Sequence, residues 1–167
     1  MDILELACEI EVKGEQLYRD LAAQSPVKEI SSIFDFLAGE EMLHFELLRA
    51  MSQKTTLPPI KKSSILNDSK AAFKILSEQF TKPGTIAIDR EYALGTALEL
   101  ESKSVSLYEK AIAEITIDPD NECSCQVLKQ LIEQEKNHVR LVSALMDFQR
   151  HPYEWLENAE WRHLDGY

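Results

Sequence analysis

Glu11, Glu41, His44, Glu101, Glu135 and His138 are ionisable residues standing where a helical chain normally buries aliphatic ones. Glu41 and His44 are three residues apart, as are Glu135 and His138, so each pair projects from one helix face toward one point. Glu11 and Glu101 add one carboxylate each. One Glu from each of two helices, with Glu-x-x-His from each of two others, is the ligand set of a carboxylate-bridged two-metal centre. A lone Glu-x-x-His is common on solvated helices. Two of them, each on an apolar stripe and each matched by a further Glu, make a metal site the better reading.

Charge supports that reading. Burying one unpaired carboxylate costs several kcal/mol even after relaxation. Four that face one another would force some to stay protonated. Two divalent cations balance all four while both histidines stay neutral. Oxygen-rich ligation with one imidazole per metal suits two iron ions, or manganese, better than structural zinc, although spacing alone leaves zinc open. Tyr18 and Tyr108 each follow a single glutamate by seven residues. Each could hydrogen-bond a ligand carboxylate, or be an ordinary core tyrosine with a satisfied hydroxyl. No other catalytic side chain stands out. Glu40, Glu46, Glu133 and Lys136 are expected to face water.

Four long helices must position these residues. The first is expected over 2–24, capped by Asp2, with stripe Leu4, Ala7, Glu11, Gly14, Tyr18, Leu21. Ser25-Pro26 stops it and opens the second at 26–53, with Ser25 as cap and Pro26 in the first turn. Its stripe is Ile30, Ile33/Phe34, Leu37, Glu41, His44, Phe45, Leu48. A crossover follows over 54–89, holding a short helix near 67–80 that Asn67/Asp68 open and Pro83-Gly84 close. It turns Phe73, Leu76 and Phe80 to one side. The third long helix, 90–115, is capped by Asp89 and carries Leu94, Ala97/Leu98, Glu101, Ser104/Val105, Tyr108, Ile112. Asp118-Pro119-Asp120 makes a turn. The fourth, 120–150, carries Leu128, Leu131/Ile132, Glu135, His138/Val139, Val142 and Leu145. Pro152 breaks it, and an aromatic tail runs over 151–167 as a short C-terminal helix or cap.

The two hairpins repeat one another, and their depths agree. Glu11 lies 14 residues before Ser25 and Glu41 16 after it; Glu101 and Glu135 both lie 17 from Asp118. At ~1.5 Å per residue, partners in each hairpin sit at nearly equal height. The expected architecture is all-α: one domain, 1–167, a four-helix bundle with one long crossover between its second and third helices.

Composition agrees. The chain has 167 residues, 44% hydrophobic and 28% charged, with only 5 Gly and 6 Pro, which favours long helices. A net charge of −11 argues against nucleic acid and anionic membrane as partners, both being polyanions. No apolar run reaches the ~20 residues of a membrane span, and Met1-Asp2-Ile3-Leu4-Glu5 shows no secretory signal. With three cysteines a disulfide framework is not expected, and the cytoplasm is the expected compartment. Cys123-x-Cys125 could be redox-active or metal-binding, but lacks a second pair and reads as incidental thiols; Cys8 reads as a small core residue. His151 and His163 read as surface residues.

The motifs Glu11-x-x-Gly14-x-x-x-Tyr18, Phe36-Leu37-Ala38-Gly39-Glu40-Glu41-x-x-His44, Ala97-Leu98-Glu99-Leu100-Glu101 with Tyr108, and Glu135-x-x-His138 resemble the rubrerythrin-like branch of the ferritin-like superfamily. The resemblance covers roughly residues 2–150. It implies a non-haem di-iron bundle, dimeric or larger, that reduces hydrogen peroxide, reacts with oxygen, or oxidises and holds iron. Two departures stand out. Full-length members carry paired Cys-x-x-Cys motifs of a rubredoxin domain, and this chain has none. They also carry a further glutamate one turn from the third helix's ligand, where this chain offers Leu98 or Ser104. The expected function is a di-iron oxidoreductase acting on peroxide or oxygen, as a homodimer, with electrons from an external donor such as a rubredoxin-like protein. The alternative is an iron-binding or ferroxidase protein of iron homeostasis. A third reading, an interaction module with a structural metal, predicts unchanged activity once a Glu101→Ala variant is restabilised.

Overall fold

Each stretch of three- and four-residue apolar spacing forms a helix in the computed structural model, which describes residues 2–79, 91–115 and 122–167. Four long helices, α1 (Ile3–Gln24), α2 (Lys28–Ser52), α4 (Glu91–Ile115) and α5 (Glu122–Arg150), make the bundle; α3 (Ile65–Gln79) lies in the crossover. A short helix α6 (Pro152–Glu157) and a kinked 3-10 helix (Glu160–Gly166) follow. Among the described residues there is no strand and no helix long and apolar enough to cross a membrane. α1 packs along α2, α4 along α5, and α1 against α4, while α2 meets α5 more sparsely. This is the expected all-α bundle.

The helix ends follow local chemistry. Asp2 stands at the N-cap of α1, and its backbone N–H donates to the Glu5 carboxylate at 3.0 Å. Ser25-Pro26 departs from expectation: Ser25 ends α1 and does not open α2. The proline ring disfavours helical backbone in the residue before it, and Ser25 is extended at φ −74, ψ 123. Val27 takes the N-cap of α2 instead. Ser31 donates its hydroxyl to the Ala22 carbonyl at 2.9 Å, tying the start of α2 to the end of α1. The crossover helix also starts earlier than expected, because Ser63 Oγ accepts the Ile65 N–H at 3.3 Å and Ser64 pairs with Asp68 at 2.6 Å. Its buried side comprises Ile65, Ser69, Ala72, Phe73 and Leu76. The expected roles of Phe80, Pro83-Gly84, Asp89 and Asp118-Pro119-Asp120 lie outside the described residues.

The core is in two parts. One contains Leu21, Ile33, Phe34, Leu37, Phe73, Leu94, Leu141, Leu145 and Phe148, with Trp155 and Leu164 of the tail packed into it. The other contains Leu4, Ala7, Leu47, Leu48, Ala111, Leu128 and Leu131. Trp155 stacks obliquely on Phe73 at 4.5 Å between ring centroids and meets Phe148 edge-on at 5.4 Å. The tail thus closes one end of the bundle. Pro152, expected only to break the fourth helix, also sits in the first turn of α6.

Candidate metal centre

Between the two apolar halves, every long helix carries its polar residues at one level. Glu11, Glu41, His44, Glu101, Glu135 and His138 all come together there, none more than 3% exposed. His44 Nδ1 lies 2.6 Å from Glu135 Oε1 and 3.5 Å from Glu11 Oε2. His138 Nδ1 lies 2.8 Å from Glu41 Oε1, 3.3 Å from Glu101 Oε2 and 3.5 Å from Glu135 Oε2. Each histidine therefore faces the single glutamate of its own hairpin and the Glu-x-x-His carboxylate of the other. That crossing leaves Glu41 and Glu135 in the middle, between the two imidazoles. The rings lie nearly parallel, 5.4 Å apart and 15° from coplanar.

The donor atoms fit cations. Glu41, His44, Glu135 and His138 each offer one ligand atom, all within 4.8 Å of one another. Glu11 Oε2, Glu41 Oε1, Glu135 Oε2 and His44 Nδ1 are buried without a hydrogen-bond partner. Although His44 Nδ1 and Glu135 Oε1 are close, they meet at an angle unsuited to a hydrogen bond. Leaving such groups unsatisfied costs about 1–3 kcal/mol each, more for charged ones. Metal ions at the shared point would satisfy all of them.

Hydroxyl groups take the outward oxygens. Tyr108 donates to Glu11 Oε1 at 2.6 Å and to Glu135 Oε1 at 3.2 Å, and Ser104 donates to Glu11 Oε1 at 2.8 Å. Tyr18 donates to Glu101 Oε1. Each tyrosine thus serves the glutamate of the other hairpin. Burial, then the adjoining carboxylate charge, pushes both phenols well above their usual range, so they stay protonated as donors. Gly14 makes room for Glu41: a Cβ there would stand 2.9 Å from Glu41 Oε2.

Without cations the site competes for protons. Burial lifts the Glu101 carboxyl to about 8, Glu135 adding to the lift and His138 opposing it. Glu41 is also raised well above the carboxylate range, by burial and then by Glu101 and Glu11. Burial also works to raise Glu135, but the adjoining imidazoles of His44 and His138 outweigh it and hold that carboxyl low. Burial alone would lower both imidazoles, yet the carboxylates around them raise both well above their usual range.

Glu40 does not face water, as the sequence led us to expect. It accepts from His138 Nε2 at 2.9 Å and from the Ser63 hydroxyl at 2.6 and 2.8 Å. Burial works to raise its carboxyl, but His138 and Ser63 hold it below the usual range. Gln134, unremarked in the sequence, lies 2.8 Å from His44 Nε2 and donates its amide to the Lys61 carbonyl at 2.9 Å. The signal was present: each of the two precedes the glutamate of a Glu-x-x-His by one residue. Glu46 and Glu133 are exposed as expected, and Lys136 pairs with Glu133 at 3.2 Å.

The remaining candidates separate cleanly. Ser104, not Leu98, turns into the centre and donates its hydroxyl to Glu11, while Leu98 packs on the apolar core. Cys8, Cys123 and Cys125 are free thiols, half-buried, exposed and buried respectively. His151 and His163 are exposed and far along the chain from the cluster. The family model for rubrerythrin matches residues 2–146. Neither the curated proteins nor the solved structures gave a match to this chain.

Proposed function

This chain belongs to the rubrerythrin family, a family of ferritin-like di-iron carboxylate domains, and on that premise we propose that it is a di-iron oxidoreductase reducing hydrogen peroxide or oxygen. The observation that carries the reading is the set of buried, unpartnered donor atoms on Glu11, Glu41, His44 and Glu135, with Glu101 and His138 completing the ring. When bound, two ferrous ions supply the two electrons that, with two protons, turn one peroxide into two waters.

The protein's residues set the conditions. Glu11 with His44, and Glu101 with His138, would each hold one cation, with Glu41 and Glu135 lying between the two pairs. Tyr18, Tyr108 and Ser104 fix the outer carboxylate oxygens, so the inner ones keep their aim. The phenols remain donors and do not serve as acids. Apolar layers above and below keep bulk water from the centre. Electrons return from a separate donor of rubredoxin-like chemistry, and the working unit is a homodimer; both expectations rest on the family. Val12 and Phe45 line an open groove on the outer side of α1 and α2 that offers apolar surface for such a contact.

The test is anaerobic loading with ferrous iron, followed by peroxide. The proposal expects two irons per chain, near-ultraviolet absorption of an oxidised pair, and one peroxide consumed per pair. A Glu101→Ala chain that folds should lose all three. Peroxide left untouched by a fully loaded chain would overturn the peroxidase reading. Uptake of many irons per chain would favour iron storage.

A further inference from the structure

Around the centre the two hairpins match residue for residue: Glu11 with Glu101, Tyr18 with Tyr108, Glu41 with Glu135, His44 with His138. The match fails at two places. Gly14 stands opposite Ser104, and Glu40 opposite Gln134. Both failures touch groups that back the candidate ligands, and they act in the same direction.

The outward nitrogens come first. His138 Nε2 faces a carboxylate oxygen of Glu40 at 2.9 Å; His44 Nε2 faces the amide oxygen of Gln134 at 2.8 Å. The orientation of that amide is fixed. Its nitrogen donates to the Lys61 carbonyl, which can only accept, so its oxygen is the atom turned to His44. With cations in place, each imidazole would donate Nε2–H outward and turn its Nδ1 lone pair inward. A full negative charge stands behind His138, and only a dipole behind His44. A carboxylate acceptor makes the imidazole a stronger ligand than an amide does.

The single glutamates repeat the difference. Glu11 Oε1 receives two hydroxyl donors, Tyr108 and Ser104, whereas Glu101 Oε1 receives Tyr18. Each donor draws charge from the carboxylate and leaves less for a cation. The His138–Glu101 side is thus the more electron-rich on both counts.

We propose that the centre is unequal by construction: the position beside His138 and Glu101 holds its divalent cation more tightly than the one beside His44 and Glu11, with Glu40 against Gln134 setting the difference. Glu40 and Gln134 are positioning residues, acting through the imidazoles. The proposal rests on the two-cation reading above.

Two ions in adjacent positions repel each other, so a two-step isotherm alone would not separate this idea from a symmetric site. Chains with one position removed do. The full chain, cleared of metal by a chelator, is titrated with Co²⁺, whose visible absorption reports ligation. His44→Ala leaves the His138 position and should bind Co²⁺ at least about tenfold more tightly than His138→Ala does. Adding Glu40→Gln to His44→Ala should weaken binding ~10–100-fold. Adding Gln134→Glu to His138→Ala should tighten it, and this arm stands even if the Glu40 variant does not fold. Equal affinities in the two single-position chains, or the reverse order, would overturn the inequality. Failure of the unmodified chain to bind any Co²⁺ would sink the two-cation reading as well.

Discussion

At position 14 the difference between a hydrogen and a methyl group separates metal binding from folding. A Cβ would stand 2.9 Å from Glu41 Oε2 and 3.3 Å from its Cδ, so the carboxylate would have to shift from its place in the centre. Alanine in a helix interior otherwise gains about 0.5–1 kcal/mol over glycine. Gly14→Ala should leave the metal-free chain at least as stable while weakening its hold on Mn²⁺; thermal melts and a binding isotherm on the same sample check both. The acidity of the centre gives a second expectation. Glu101 carries a pKa of about 8 when folded, against an ordinary 4.5. A group raised in this way stabilises fully below its unfolded value, and the benefit is lost as pH climbs through the folded one. Raised Glu41, His44 and His138 act with the same sign, while Glu135, held low, matters only at the acid end. The metal-free melting temperature should fall from about pH 5 to about pH 8. Cations must displace those protons, so the increment from saturating Mn²⁺ should widen over the same window. An increment flat with pH would contradict this. Residue type and spacing were enough to pick out the six polar residues that the fold buries together, because each interrupts an apolar stripe. Glu40 escaped because helical periodicity places it on the flank of its stripe. What draws it inward is Ser63, on another segment, and periodicity carries no information about that segment.

At the scale of elements, the end of α2 is the informative junction. Lys54 takes a left-handed conformation at φ 52, with its N–H on the Met51 carbonyl and the Thr55 N–H on the Ala50 carbonyl at 2.9 Å. Glycine is the residue that adopts this backbone without a Cβ penalty. Lys54→Gly should therefore stabilise the chain by about 0.5–1 kcal/mol, after allowing for the looser unfolded state. That corresponds to a rise of roughly 1–4 °C in Tm for a chain of this size, with metal stoichiometry unchanged. The long helices were legible as stripes, and their ends less so. Ser25-Pro26 carries both a stop and a start signal, and the dipeptide cannot say which will prevail. The backbone restriction before proline settles it in favour of the stop.

At the scale of the molecule, the centre sits in a polar layer between two apolar halves, and the halves can be perturbed separately. Trp155 belongs to the half closed by the tail, packed on Phe73 and Phe148. Trp155→Ala should cost about 3–5 kcal/mol and leave the bound metal count intact while the fold persists. Loss of cation binding in a folded Trp155→Ala chain would mean that the two halves are coupled through the layer. In the sequence the tail's aromatics lean only slightly toward capping the bundle over a subunit contact; the neighbouring α3, folded from the crossover, is what they pack on.

One connection between α2 and α3 touches both sides of the centre: Lys61 holds Gln134 behind His44, and Ser63 holds Glu40 behind His138. Whatever lifts that short stretch unlatches both imidazoles together. Residence time is then a property of the stretch. The ions should escape at the frequency with which about three residues peel away, however avid the chelator waiting outside.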